Sequence, residues 1–233
     1  MRVRAWSIGL AAALLLAGCA SATPSSRQAG PSSRTTPVAG PAGADGATRV
    51  VVLRPVTRVG APATGYTAVP DAATGLTIDC TQDSPVSVDA GIASCSPSAS
   101  YAVACWPSAT AGHALCLRDP WSRQVASVPM QGTFPAGVGP PATPQPIGLE
   151  LADGSHCTIR GGGAGEVLDG HPAWYARYYC GANYDTAAWA PSTSPAIDRS
   201  EPSWTVQVAR SDGHAALRTV RVATAYLVGT ATR

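Results

Sequence analysis

Cysteines, histidines and two arginine–aspartate pairs are the side chains whose types and spacing could carry chemistry in this chain. Four histidines occur, His113, His156, His171 and His214, and none is spaced from another as metal ligands on one strand or helix would be. His156 adjoins Cys157, the makings of a cysteine nucleophile with its base, but a disulfide on Cys157 would remove that chemistry. The pattern Gly-x-Ser-x-Gly is absent, as are His-Glu-x-x-His, the Walker sequence and the Cys-x-x-Cys pairs of a metal site. No cofactor and no metal is therefore expected. The run Gly161-Gly162-Gly163-Ala164-Gly165 has the composition of a phosphate-binding loop. Neither a helix nor Lys-Ser/Thr follows it, so it reads as a hairpin loop. Arg118-Asp119-Pro120-Trp121 and Asp198-Arg199-Ser200-Glu201-Pro202-Ser203-Trp204 each place an acid and an arginine shortly before a tryptophan. One reading makes Arg118, Asp119, Asp198 and Arg199 a paired ligand-binding rim. The favoured one is an Arg–Asp pair closing a turn before a strand, with proline setting the bend.

The tryptophans recur. Shifted by 83 residues, Tyr101 falls on Tyr184, Ala104 on Ala187, Trp106 on Trp189, Thr110 on Thr193 and Trp121 on Trp204. Gln124-Val125-Ala126 falls on Gln207-Val208-Ala209 without a gap. Self-similarity of this kind marks repeated supersecondary units. It also sorts the six cysteines that follow Cys19, for which fifteen pairings are possible. Cys105 and Cys116 correspond to Ala188 and Arg199, so both are present in one unit and both are missing from the other. Residues that come and go together pair with each other. Cys80 and Cys95 precede the first tryptophan pair as Cys157 and Cys180 precede the second. The expected map is Cys80–Cys95, Cys105–Cys116 and Cys157–Cys180. Each bridge would be worth roughly 3 kcal/mol in the chain-entropy model. The repeated tryptophans, Trp106, Trp121, Trp189 and Trp204, read as core anchors rather than ligand platforms.

The elements that must position these residues are strands. Short apolar stretches rich in Val, Tyr and Trp lie between Gly, Pro, Ser and Asp: 50–53, 76–78, 101–106, 114–117, 121–128, 147–151, 174–179, 204–208 and 217–228. That pattern predicts an all-β fold, an antiparallel sandwich or barrel built from two pseudo-repeats and stapled by disulfides. One β domain is expected over 49–230. It contains a unit at about 72–128, a proline-rich connector at 129–146, a second unit at about 147–210 and a last strand at about 215–229.

The chain begins with Arg2 and Arg4, an apolar run from Ile8 to Leu16, and Leu16-Ala17-Gly18-Cys19. This reads as a signal peptide over 1–18, too short to span a membrane stably. Ala20 to about Thr48 is Ala, Ser, Thr, Pro and Gly with hardly a large apolar residue, a composition expected to give a flexible tether with a reach of roughly 30 Å. Every basic residue is arginine, and without Arg2 and Arg4 the basic and acidic residues balance. A neutral chain argues against nucleic acid or anionic lipid as the main partner.

The Leu-Ala-Gly-Cys ending resembles the lipobox of bacterial lipoproteins. That resemblance implies cleavage before Cys19 and a diacylglycerol on its sulfur, holding the domain on the outer face of a cell membrane; such anchoring takes more than one acyl chain. The segments around Cys105-Trp106-Pro107, Leu117 to Ser122 and Ile197 to Ser200 resemble exported actinobacterial lipoproteins of mycobacterial type. That family brings no known activity and so no functional residues. The function expected is a non-enzymatic envelope module, binding or structural, whose partner is an envelope protein or glycan. The alternative is an exported hydrolase assembled from distant residues such as His113, Asp119, His171 and Asp198 with a serine.

Overall fold

The structure is a computed structural model, and it describes residues 46–71, 75–97, 102–161, 166–214 and 216–232. Cys19, the tether up to residue 45, Tyr101 and Gly162 to Gly165 lie outside the described residues. Where described, the chain is all-β, with three disulfides. The first strand, β1, is Arg49–Leu53. The first half then gives β2 Thr67–Pro70, β3 Asp79–Asp83, β4 Ala93–Ser96, β5 Cys105–Pro107, β6 His113–Cys116 and β7 Gln124–Pro129. The second half gives β8 Gly148–Leu151, β9 His156–Ile159, β10 Val167–Leu168, β11 His171–Cys180, β12 Thr186–Pro191, β13 Ile197–Asp198, β14 Thr205–Arg210 and β15 Arg218–Val228.

The second half closes on itself. Strands β15, β8, β9, β11, β12 and β14 pair antiparallel in that order, and β14 returns to pair with β15. The result is a closed six-stranded antiparallel barrel. Period-two alternation builds its interior: Val206 and Val208 of β14 and Val220 and Val222 of β15 point inward among Leu149, Leu151 and Tyr178. Cys157 and Cys180 lie directly opposite one another on β9 and β11 and bond inside this core. A second apolar layer, Trp189 with Leu168, Ala176 and Ala187, covers one outer face. Alanine-rich β12 is therefore buried on both sides.

The first half makes an open mixed sheet in the order β2-β7-β6-β5-β4-β3, with β2 parallel to β7 and the rest antiparallel. One face, carrying Trp106, Leu115 and Val125, packs with Ile147 and Val228 and so joins the sheet to the barrel strands. The other face holds Cys80–Cys95 and Cys105–Cys116 under Leu76, Met130 and Phe134. All three disulfides are those the repeat indicated.

The repeat itself survives at the level of strands: β5, β6 and β7 stand at the same 83-residue offset as β12, β13 and β14. The lateral order differs. In the first half β6 lies between β5 and β7, whereas in the second β12 and β13 follow one another along one edge of β14, with β15 on its other edge. The ring runs through the β12–β14 and β14–β15 ladders, which pairs β12 directly with β14 and leaves β13 as a two-residue addition to the same edge. The equivalent tryptophans consequently face different layers, Trp106 toward the barrel and Trp189 away from the barrel's interior.

Candidate functional site

Asp119 closes the turn ahead of β7: its Oδ1 accepts from the Trp121 backbone N–H at 2.9 Å, and Ser122 N–H donates to the Asp119 carbonyl at 3.2 Å. Pro120 and Trp121 are thereby laid against the first residue of β8. A Cβ on Gly148 would sit 2.6 Å from Pro120 Cγ and 3.1 Å from the Trp121 ring, so only glycine admits this approach. The Trp121 ring stacks on His156 at 4.5 Å between centroids, with 2° between the planes, and meets Tyr226 edge-on at 6.0 Å.

Beside this joint opens a cleft of about 920 Å³. Val103, Arg118, Asp119 and Trp121 line one side, and residues of β9 and of the β11–β12 turn line the other. The far wall is aromatic. Tyr184 stands edge-on to Tyr179 at 6.2 Å and is 60% exposed. Its backbone is left-handed, with φ of 54°, which no other described non-glycine residue adopts. For a residue with a bulky side chain that conformation costs on the order of 1–3 kcal/mol. Gly181 opens the same turn, and its N–H donates to the His156 carbonyl at 3.0 Å, tying the turn to β9.

Arg118 does not pair with its neighbour Asp119. It forks onto Asp71, Nη1 to Oδ1 at 2.6 Å and Nη2 to Oδ2 at 2.8 Å, and the Asp71 side chain is only 4% exposed. The local ion pair expected here is therefore corrected: the acid closes the turn and the arginine reaches across 47 residues. The same division holds around Trp204. Asp198 Oδ1 accepts from the Ser200 N–H at 2.9 Å, a bond that holds its carboxyl below the usual range. Arg199 instead lies over the Trp204 ring at 4.5 Å and donates from Nη2 to the Pro144 carbonyl at 2.9 Å.

The four residues expected to form one rim are thus divided. Arg118 and Asp119 border the first cleft, while Asp198 and Arg199 border a second, of about 800 Å³, beneath the connector. The tryptophans divide too. Trp106 and Trp189 are core residues at 1% exposure, whereas Trp121 and Trp204 are half-buried and carry a histidine and an arginine on their faces. Trp204 still packs, half-buried, against the barrel core, while Trp121 lies half-buried at the first cleft; both sit at a turn–strand boundary.

The histidines are dispersed. His113 Nδ1 lies 3.2 Å from the Ala111 carbonyl, His171 lies against Trp174, and His214 pairs with Asp169 at 2.6 Å. Neither His113 nor His171 lines the cleft that holds Asp119 or the one that holds Asp198. His156 does line the first cleft, but among the described residues its ring stacks on Trp121 without a hydrogen bond to a carboxylate or a serine. The Sγ atoms of Cys95, Cys105 and Cys116 lie within 4.8 Å of one another, yet all three are engaged in disulfides and are not free thiolates.

Sequence reasoning missed Tyr179 and the role of Tyr184, which entered only as the repeat partner of Tyr101. The signal available was local: Gly181-Ala182-Asn183-Tyr184-Asp185 is a turn composition with an aromatic residue inside it. No family model matches the chain, and neither a curated protein nor a solved structure matches it.

Proposed function

We propose that this protein is a lipid-anchored module on the outer face of a cell membrane, non-enzymatic, which binds another component of the envelope through the Tyr184 cleft. The lipobox-like Leu16 to Cys19 and the tether composition support the anchor. The observation that carries the binding site is Tyr184 itself. A large aromatic ring is kept exposed at the mouth of a cleft, on a backbone conformation that glycine would adopt without strain. Folding alone gives no reason to retain it. Tyrosine presents a broad rigid surface with an apolar body and a polar tip, the property that enriches it at recognition surfaces. The charged groups of the cleft are already engaged, Arg118 by Asp71 and Asp119 by the Trp121 N–H. That favours recognition by shape and hydrogen bonding.

Two measurements test the reading. Membrane fractionation and N-terminal mass spectrometry of the wild type against Cys19→Ala read the anchor: an acylated, membrane-retained wild type and a released variant are expected. Titration of the purified domain with isolated envelope protein and glycan fractions reads the cleft. Tyr184→Gly removes the ring and relieves the backbone, so binding at least ten-fold weaker with an equal or higher Tm is expected. Unchanged binding by this variant, or reproducible hydrolytic turnover by the wild type, would overturn the proposal.

A further inference from the structure

The cleft beneath the connector has an electrostatic character of its own, independent of the Tyr184 cleft. Two guanidinium groups, those of Arg177 and Arg199, line it together with the single acid Asp198. Neither arginine meets a carboxylate among the described residues. Arg177 Nη2 donates to the carbonyls of Pro191 at 3.2 Å and Ser192 at 3.0 Å, and its Nε is buried without a partner. Arg199 has the Pro144 carbonyl and the face of Trp204. Asp198 is already engaged by the Ser200 N–H. By contrast Arg54, Arg118, Arg210 and Arg218 each face an aspartate.

Arg177 is also placed in an unusual way. Ala176 pairs with Trp189 and Tyr178 with Ala188, so β11 has one extra residue against β12, and that residue is Arg177. A β-bulge of this kind re-aims a side chain out of the ladder's alternation, and bulges concentrate next to binding and catalytic sites. Thr143, Ser192, Thr193, Ser194 and Ser200 line the cleft with hydroxyls, while the amides of Ser192, Ser194 and Ser200 are already donated within the protein. Guanidinium stays charged at any physiological pH, and partial burial without a counter-ion leaves that charge poorly compensated. Burial indeed pulls the pKa of Arg199 down from its ordinary value.

From this geometry we infer that the cleft is an oxyanion site, in which Arg177 and Arg199 take up a phosphate or carboxylate group and the hydroxyls complete its hydrogen bonds. The chemistry is that of charge-assisted, fork-shaped arginine recognition. The chain's overall neutrality is compatible with it, because the excess positive charge is local.

The test is a titration of the purified protein with its disulfides intact, followed by NMR of the arginine side-chain Nε–H signals. The probes are inorganic phosphate and glucuronate, with sodium chloride as the ionic-strength control. Saturable shifts confined to Arg177, Arg199 and the amide of Thr193 are expected, with Arg123 unmoved. Arg177→Gln and Arg199→Gln should each weaken binding at least ten-fold, and Arg123→Gln should leave it unchanged. Where Arg199→Gln lowers the Tm, Arg199→Lys, which keeps the charge, should bind more tightly than Arg199→Gln. Vesicles of phosphatidylglycerol in phosphatidylcholine separate a lipid headgroup from a free anion: competition between vesicles and phosphate assigns the site to a headgroup phosphate. Shifts that follow chloride equally, or that spread over all arginines, would overturn the inference and leave the Tyr184 reading untouched.

Discussion

Every strand of the closed barrel has a neighbour on both sides, whereas the first sheet ends on β2 and β3, each paired on one side only. Both regions bury apolar faces, but they manage their edges differently. Closure removes edges outright. In the open sheet, the connector lies along β3, where the Gln131 and Gly91 amides bond to the Ile78 and Val138 carbonyls and Gly139 N–H donates to Asp83. Two of the three disulfides also fall in this sheet, tying β3 to β4 and β5 to β6. Covalent staples are concentrated where hydrogen-bonded closure is missing. Related strands also pair differently in the two regions, since β12 bonds directly to β14 whereas β6 separates β5 from β7.

The largest test uses the equivalent tryptophans. Trp106→Ala and Trp189→Ala should each cost about 3–5 kcal/mol in urea unfolding. Trp106 lies in the layer that joins sheet to barrel, so its loss should also split the unfolding curve into two transitions, while Trp189→Ala should keep one. Phenylalanine sharpens the contrast. Trp106 Nε1 donates to Thr230 Oγ1 at 3.1 Å, but Trp189 Nε1 is buried without a partner. Trp189→Phe should therefore destabilise less than Trp106→Phe, because it also removes an unmet donor.

The disulfides come next. Paired Cys→Ala replacement of any one bridge should cost about 3 kcal/mol globally, with Cys157–Cys180, whose loop is longest, at the upper end. Hydrogen exchange should rank them differently. Without Cys80–Cys95 the β3 amides should exchange by local opening, whereas without Cys157–Cys180 the β9 and β11 amides should still wait for global unfolding. Equal local protection in both variants would break the link between edges and staples.

The smallest effect is at a turn on the barrel's surface. The hydrogen bond from His214 to Asp169 raises the histidine pKa above its ordinary value. Its stabilising contribution is full below the unfolded-state pKa and is lost as pH rises through the folded-state value. NMR titration should show that raised midpoint, and Asp169→Asn should return it toward the free value with barely a change in Tm, since both side chains are exposed.

How much of this was legible in the sequence depended on whether one strand carried its own pattern. Val50 to Leu53, Ile147 to Leu151 and Leu217 to Val228 advertise themselves, because β-branched residues and a single buried face leave a visible trace. Strand β12 did not: Thr186-Ala187-Ala188-Trp189-Ala190-Pro191 is packed on both sides, so alternation disappears and alanine has no β preference to show. Strands β4 and β9 were hidden for another reason, as each is short and built around a cysteine with small or polar neighbours. The disulfide map was readable because the repeat lost Cys105 and Cys116 together. The clefts were not, since they depend on approaches such as Gly148 beneath Pro120 and Arg118 onto Asp71. Nothing in the local sequence of either partner names the other.

Strand β1 runs parallel to β15 over five paired residues, Arg49 with Thr224 through Leu53 with Val228. Just ahead of it, Thr48 is fastened to the Pro202 and Val222 carbonyls, and Arg221 holds the carbonyl of Gly46. Any pull delivered along this strand by the preceding chain loads the whole row of hydrogen bonds in shear, all at once, instead of peeling them one after another. The entry point of the fold is in this sense a mechanical clamp. Tension reaches β15, and through it both the barrel and the sheet, before any single bond is isolated.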